Sequence, residues 1–431
     1  MRVKVIGAGL AGCEAALRLA NSGVAVDLYE MKPHRMSPAH SSTNFAELVC
    51  SNSLKASRID SAAGLIKEEM RRFGSVVMES AERSSVAAGG ALAVDRDLFS
   101  SYITDKIKSN PNINIICEAV ESINPDEYTV IATGPLTDSK LAENISTLCG
   151  GMLSFFDAAA PIVSAESVDM SKAFMASRYD RGGDDYINCP MDKAEYDAFY
   201  EALVSAERIE LKSFETERKL YEGCMPIELM AERGHDTIRF GPLKPVGLRN
   251  PDTGHRPWAN LQLRRENAAG TMFNLVGFQT NLKFSEQKRV FSMIPALANA
   301  EFYRYGVMHR NTFINSPKVL SSDLSLRINP MIFFAGQITG VEGYTESAAC
   351  GIVAAENLIR RLNGNSPLEM PIYTMLGALI NHVTNCESKD FQPMGANFGV
   401  LPPLDVHIRD KRERYAALSA RAVAWYDENI K

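Results

Sequence analysis

Two thiols in this chain have neighbours that could make them chemically active. Cys50 lies in "ELVCSNSL", with no CxxC partner and no nearby histidine. The "SNS" that follows could supply hydrogen bonds, but no cation adjoins it in sequence. From those neighbours it is either a small buried apolar residue or a thiol that does chemistry. Cys224 lies in "EGCMPIELMAERGHDTIRFGPLKPVGL", with Gly223 before it and Pro226 after it. Proline suits a first helical turn, and the partial positive charge at a helix N-terminus favours a thiolate. Arg233, Arg239 and Lys244 downstream could add to that charge. Cys224 therefore reads as a reactive thiolate or as a structural loop cysteine. Of the remaining cysteines, Cys13 and Cys350 lie beside glycines in helical segments, where a small residue aids packing. No pair among the eight has zinc-ligand spacing.

The second chemical signal is a set of glycines. Gly7-x-Gly9-x-x-Gly12, with Ala8, Leu10 and Ala11 between, follows an alternating apolar run and precedes a helical one. Gly7 permits a tight turn, Gly9 lets backbone approach a pyrophosphate, and Gly12 lets the helix pack on the sheet. Free N–H groups at the helix start favour phosphate. Glu30 ends the next strand and can accept a ribose hydroxyl. Met31 follows it, so nothing calls for a 2′-phosphate. Thr133-Gly134-Pro135 marks another strand's carboxyl end. Near the C-terminus "FFAGQITGVEGYTES" repeats the strand–turn–helix pattern, with Gly336, Gln337, Gly340, Gly343 and Tyr344 in the turn. A cofactor held at the first turn would extend towards the second, which suits FAD better than NAD. Glu342 and Glu346 sit badly beside a phosphate, which places the second turn on the flavin side.

These residues need a scaffold. "VKVIGAGLAGCEAALRLANSGVAVDLYE" reads as a βαβ unit. "DSAAGLIKEEMRRFG" reads as a helix capped by Asp60, and "DRDLFSSYITDKIKSNP" as a helix capped by Asp95. The second of these has an apolar face of Leu98, Phe99, Tyr102, Ile103 and Ile107. From about residue 156 loops and short strands alternate, with one helix burying Tyr196, Phe199, Tyr200, Leu203 and Val204. The expected architecture is α/β: a discontinuous Rossmann-like, FAD-binding domain (1–155 and 311–431) with an inserted α+β domain (156–310) for substrate or RNA.

The 431 residues are 45% hydrophobic and 23% charged, as in a globular protein, and the length suits two or three domains. No apolar run is long enough to span a bilayer, and the N-terminus enters a strand at once, so a cytoplasmic protein is expected. A net charge of −6 argues against a uniformly basic surface. Locally, residues 239–265 carry six Lys or Arg against one acid, Asp252. Arg249, Arg256, Trp258, Arg264 and Arg265 could line an RNA groove, with Trp258 stacking on a base.

Longer blocks carry a resemblance. "VIGAGLAGCEAA", "FAELVCSNSLKA", "AGGALAVDRDLF", "YEGCMPIELMAERGHDTIRFGPLKPVGL", "NLVGFQTNL" and "FFAGQITGVEGYTESAACGIVAA" resemble the folate- and FAD-dependent tRNA (uracil-5-)-methyltransferases, the TrmFO family. The resemblance implies a GidA- or glutathione-reductase-like fold. It implies methyl transfer to C5 of uridine 54 in the tRNA T-loop, from 5,10-methylenetetrahydrofolate, with FAD reduced by NADH or NADPH. Cysteines in the contexts "LVCSNS" and "GCMPIE" are both tied to catalysis in that family, which carries Cys50 and Cys224 into the active site. Uracil C5 becomes nucleophilic once a thiolate adds at C6. The local chemistry of Cys224 favours it for that role and leaves Cys50 to attend the flavin or the proton. The alternatives are the same reaction on ribosomal RNA, a GidA-type wobble-uridine modification by a longer chain, and a small-molecule flavin oxidoreductase.

Overall fold

Val3 and Val5 are fully buried while Arg2 reaches solvent, and this alternation makes the first run a strand, β1 (Arg2–Ile6). The structure, a computed structural model, describes residues 2–37, 39–158, 160–209, 225–306, 308–387 and 391–430. β1 lies inside a six-stranded sheet with β2 (Ala25–Tyr29), β6 (Ile113–Ile116), β7 (Thr129–Ile131), β16 (Ser325–Leu326) and β17 (Asn329–Phe334). The order is β16-β17-β7-β1-β2-β6, parallel except for the edge strand β16. β16 and β17 thus return to the sheet begun at residue 2, as a discontinuous Rossmann-like domain requires.

Two helices pack directly against each other, Leu10–Asn21 and Tyr344–Leu362. A Cβ on Gly351 would stand 2.2 Å from the Ala11 carbonyl oxygen, so only glycine permits this approach. Cys13 and Cys350, one on each helix, are buried. Small residues at the crossing explain how a strand–turn–helix unit from each end of the chain can lie side by side.

The second sheet is antiparallel throughout, in the order β10-β11-β12-β13-β9-β14. Its strands are β9 (Ile162–Ser164), β10 (Phe174–Met175), β11 (Tyr186–Met191), β12 (Ala259–Arg265), β13 (Met272–Leu275) and β14 (Phe302–Arg304). The helix Lys193–Val204, opened by an Asp192/Glu195 capping box, buries Tyr196, Phe199 and Leu203 in this domain's own core. Tyr200 and Val204 pack at its margin. A ribbon of β8 (Met152–Ala158) and β15 (Met308–Ile314) joins the two parts. In its register Phe155 pairs with Asn311 and Phe156 with Arg310. A small sheet of β3 (Ser53–Ala56), β5 (Ala91–Val94) and β4 (Ser85–Val86) carries the segment after Cys50.

Two local expectations change. Ser61, not Asp60, caps the helix Ala62–Arg72, its hydroxyl accepting from the Gly64 N–H at 3.1 Å. Asp60 instead pairs with Arg58 and Arg412. In the helix Arg96–Ser109, Asp95 caps as expected and Phe99, Ile103 and Ile107 are buried, but Leu98 is 54% exposed. Asp95 is the N-cap, so Leu98 sits in the first turn, outside the stripe set by the other three. The helix Val76–Arg83 went unread in sequence. Part of its N-terminus is satisfied from afar: Glu14, on the helix Leu10–Asn21, accepts from the Val77 N–H at 3.0 Å.

Candidate functional site

A cleft with about 1140 Å³ of empty space opens along the carboxyl ends of four neighbouring strands. Glu30 follows β2, Gly7 to Ala11 follow β1, Ala132 to Thr137 follow β7, and Gly336 and Gln337 follow β17; all line it. Three strand spacings separate the outer pair, about 14 Å, so the cleft suits an extended dinucleotide. Gly134 and Tyr344 also line it.

The glycines of the first turn separate by cause. A Cβ on Gly12 would stand 1.8 Å from the Gly7 carbonyl oxygen, so protein packing demands glycine there. Gly9 has φ −74° and ψ −170°, open to any residue, and a Cβ there would meet no protein atom within 4 Å. Nothing in the protein requires glycine at position 9. The space beside it is a cradle that a side chain would fill, and it lies at the start of a helix whose first N–H groups lack intrahelical acceptors. The residues present fit a pyrophosphate. Glu30 is 8% exposed, and its carboxylate accepts from the Ala8 N–H at 2.9 Å and the Lys32 N–H at 3.1 Å. It therefore braces the turn as well as facing the cleft. Lys32, also buried, donates to the carbonyls of Ser42 and Asn44 and so holds the segment that walls this side.

The second turn is arranged differently. Gly336, Gln337 and Tyr344 line the cleft, while Gly340 and Gly343 do not. A Cβ on Gly340 would stand 2.6 Å from Phe391, and one on Gly343 would stand 2.2 Å from the Glu346 carboxylate. Gln337 donates to Glu342 at 2.7 Å. Glu346 is buried and pairs with Lys55 of β3 at 2.8 Å. The Lys55 ammonium, among other bonds, holds the Glu346 carboxyl below its ordinary value, although burial opposes this.

Cys50 is half-buried beside the cleft, next to Val49, which lines it. The Tyr344 hydroxyl accepts from the Cys50 N–H at 2.7 Å and the Ser51 N–H at 3.1 Å. Burial, reinforced by Cys50, pushes that phenol well above its ordinary value. The sequence showed no cation beside Cys50, but the fold brings three. Arg96 donates to the carbonyls of Leu48 (2.5 Å) and Cys50 (3.4 Å). Arg304, on β14, donates to those of Val49 (3.2 Å) and Cys50 (3.3 Å). Arg264, on β12, donates to Ser51 Oγ (2.6 Å) and Asn52 Oδ1 (2.9 Å). Arg96 also pairs with the buried Glu266 at 2.7 Å, and this outweighs burial to raise its affinity for its proton. Burial lowers Arg264 and Arg304, with Glu266 working against it in both. In contrast, burial pushes the thiols of Cys13 and Cys189 far up, Cys149 to about 12 and Cys350 to about 11.

The expected RNA residues divide. Arg249 and Arg256 are exposed. Trp258 is half-buried, with the Arg239 guanidinium 3.9 Å from its ring centroid, so one face of the indole is already covered. Arg264 corrects the expectation of a groove-lining residue: it is 8% exposed and turned into the Cys50 loop. Arg265 is half-buried, and its carbonyl accepts from Asn52. Burial follows from placement, since β12 is an interior strand of its sheet. Cys224 lies outside the described residues. Among the described residues no group of His, Cys, Asp and Glu could hold a metal ion, and no helix is long and apolar enough to cross a membrane.

Comparison with known proteins adds to this geometry. Residues 2–366 match the family described as glucose inhibited division protein A. The chain is 57% identical over 427 residues to the methylenetetrahydrofolate–tRNA-(uracil-5-)-methyltransferase TrmFO of Desulfitobacterium hafniense, covering 99% of this chain and 98% of that one. It is 54% identical over 430 residues to the protein of the same description from Halalkalibacterium halodurans, covering 100% and 98%. Among solved structures, Aquifex aeolicus GidA in its form II crystal superposes with a TM-score of 0.71 at 16% identity, over 99% of this chain and 73% of that one. That likeness speaks for the fold.

Proposed function

The chain belongs to the TrmFO family of methylenetetrahydrofolate–tRNA-(uracil-5-)-methyltransferases and carries the GidA family domain, and from that premise we propose how its residues divide the work. It is an enzyme that methylates C5 of uridine in tRNA, with 5,10-methylenetetrahydrofolate as one-carbon donor and FAD as cofactor. FAD, when bound, supplies the electrons that reduce the transferred carbon to a methyl group. The finer reading is ours: the target is uridine 54 of the T-loop, the electrons come from NADH or NADPH, and the enzyme works in the cytoplasm.

One observation carries the reading. Tyr344 lines the nucleotide cleft and its hydroxyl holds the backbone of Cys50, so the cofactor site and a thiol are fastened together. Gly7, Ala8, Gly9, Leu10, Ala11 and Glu30 take the adenosine and pyrophosphate side, with Gly12 packing the helix behind them. Gly134, Gly336, Gln337 and Tyr344 take the flavin side, with Gly340 and Gly343 shaping the turn. Cys224 adds to uracil C6, which gives C5 enolate character. Cys50 works beside the flavin, where the C5 proton must be removed before the C6 thiol can leave. Arg249, Arg256 and Trp258 face the RNA.

The test is to incubate the flavin-loaded protein with the folate, NAD(P)H and unmodified tRNA, and to map new 5-methyluridine. Cys50→Ala and Cys224→Ala are then compared for activity and for covalent trapping by 5-fluorouridine RNA. Cys224→Ala is expected to lose the trapped complex. If that variant still forms it, the division of labour is reversed.

A further inference from the structure

We propose that Arg96, Arg264 and Arg304 are positioning residues that together hold the Cys50 sulfur as a thiolate, ready to take a proton. The inference deepens the reading of Cys50 given above and rests on it for its purpose, though not for its test.

The three arginines reach one five-residue segment from three separate elements: the helix Arg96–Ser109, β12 and β14. Both strands belong to the inserted domain's sheet, while the segment lies beside the nucleotide-binding one. Between them the guanidiniums engage the carbonyls of residues 48, 49 and 50 and the side chains of Ser51 and Asn52. Tyr344 fixes the N–H groups of Cys50 and Ser51 from the opposite side. The backbone at Cys50 is thus held at both its donor and its acceptor, which sets where the sulfur stands.

Among the described residues the charge balance is uneven. Glu266 accounts for one of the three positive charges, through Arg96. Tyr344 is kept protonated by burial and adds none. Glu47, on the approach to Cys50, spends its carboxylate on Ser41 and Ser42 N–H groups, with Lys32 4.0 Å away. The Arg304 Nε is buried and makes no hydrogen bond. Arg264 is buried and Arg96 and Arg304 are half-buried, and withdrawing such charges from water beyond what carboxylates neutralise is costly unless another anion is present. Arg96 and Arg304 both reach the Cys50 carbonyl and Arg264 reaches the adjacent Ser51, so Cys50 stands among all three guanidiniums. An anionic sulfur there closes the balance and yields a base for the C5 proton.

The test reads ionisation directly. The flavin-loaded protein is treated with iodoacetamide across a pH series, and labelling of the Cys50 peptide is followed by mass spectrometry. Arg304→Met is expected to raise the midpoint of Cys50 alkylation by about one pH unit, a roughly tenfold slower reaction near neutrality. Arg304→Lys, which keeps the charge, is expected to restore most of it. Glu266→Gln should move the midpoint the other way, and this variant decides the matter if Arg304→Met does not fold. Midpoints that stay at the wild-type value would overturn the proposal, as would a uniform slowing at every pH, which reports access and not charge. An active Cys50→Ala enzyme would instead remove the catalytic reading of Cys50 and leave the alkylation result standing.

Discussion

At the first glycine-rich turn a side chain on Gly9 would meet no protein atom within 4 Å, whereas at the second turn every glycine is hemmed in by protein. There, a Cβ would stand 2.8 Å from Ala11 at Gly336, 2.6 Å from Phe391 at Gly340, and 2.2 Å from Glu346 at Gly343. The same residue type therefore answers to two causes. The first turn keeps one glycine for something that is not protein. The second is drawn tight against its surroundings and delivers Gln337 and Tyr344 to the cleft. A glycine motif alone does not say which of its glycines faces the ligand; the neighbours of each absent Cβ do.

This contrast can be broken by substitution. Gly9→Ala should cost the most where the ligand binds: flavin affinity is expected to fall about 10- to 100-fold, or about 1.4–2.8 kcal/mol. The flavin-free fold should stay within about 0.5 kcal/mol of wild type by denaturant titration. Full flavin retention by this variant would mean that Gly9 faces no cofactor. Gly340→Ala should show the reverse, since its φ of +92° and the Phe391 ring both resist a side chain. A loss of about 1–3 kcal/mol in stability is expected, with flavin affinity of the folded fraction unchanged. A variant that melts normally but loses flavin would put Gly340 in the binding surface after all.

The smallest effect concerns the thiols beneath the two turns. Cys13 lies 3.3 Å from the Ala8 carbonyl oxygen and Cys350 lies 3.6 Å from the Thr339 hydroxyl. Burial raises Cys350 from 9.0 to about 11 and Cys13 still further. Because the folded value exceeds the unfolded one, each contributes stability below pH 9, which fades as pH rises through the folded value. Native protein at pH 9 should therefore leave both unalkylated while Cys50 reacts, and denaturation should expose all three. Labelling of Cys13 alone would show the first turn opening on its own.

The βαβ start, the glycine turn with Glu30, the Asp95 cap and the return of the sheet near residue 330 were all readable along the chain. Each is local, written in hydrophobic period, turn residues and caps within a few positions of one another. The cap at Ser61 was misread by one residue, because Asp and Ser side by side offer equal caps and only the helix's register chooses between them. The Cys50 site was legible only through resemblance. Its cations come from positions 96, 264 and 304, and Arg264 was taken for an RNA contact because it sits in a basic run. The sequence by itself determined which segments become strands, helices and phosphate turns, since backbone preferences and side-chain periodicity act over short range. Only the tertiary structure decided that Cys50 stands among guanidiniums. That depends on an inserted antiparallel sheet folding back over a loop some two hundred residues earlier in the chain, a juxtaposition that leaves no local trace.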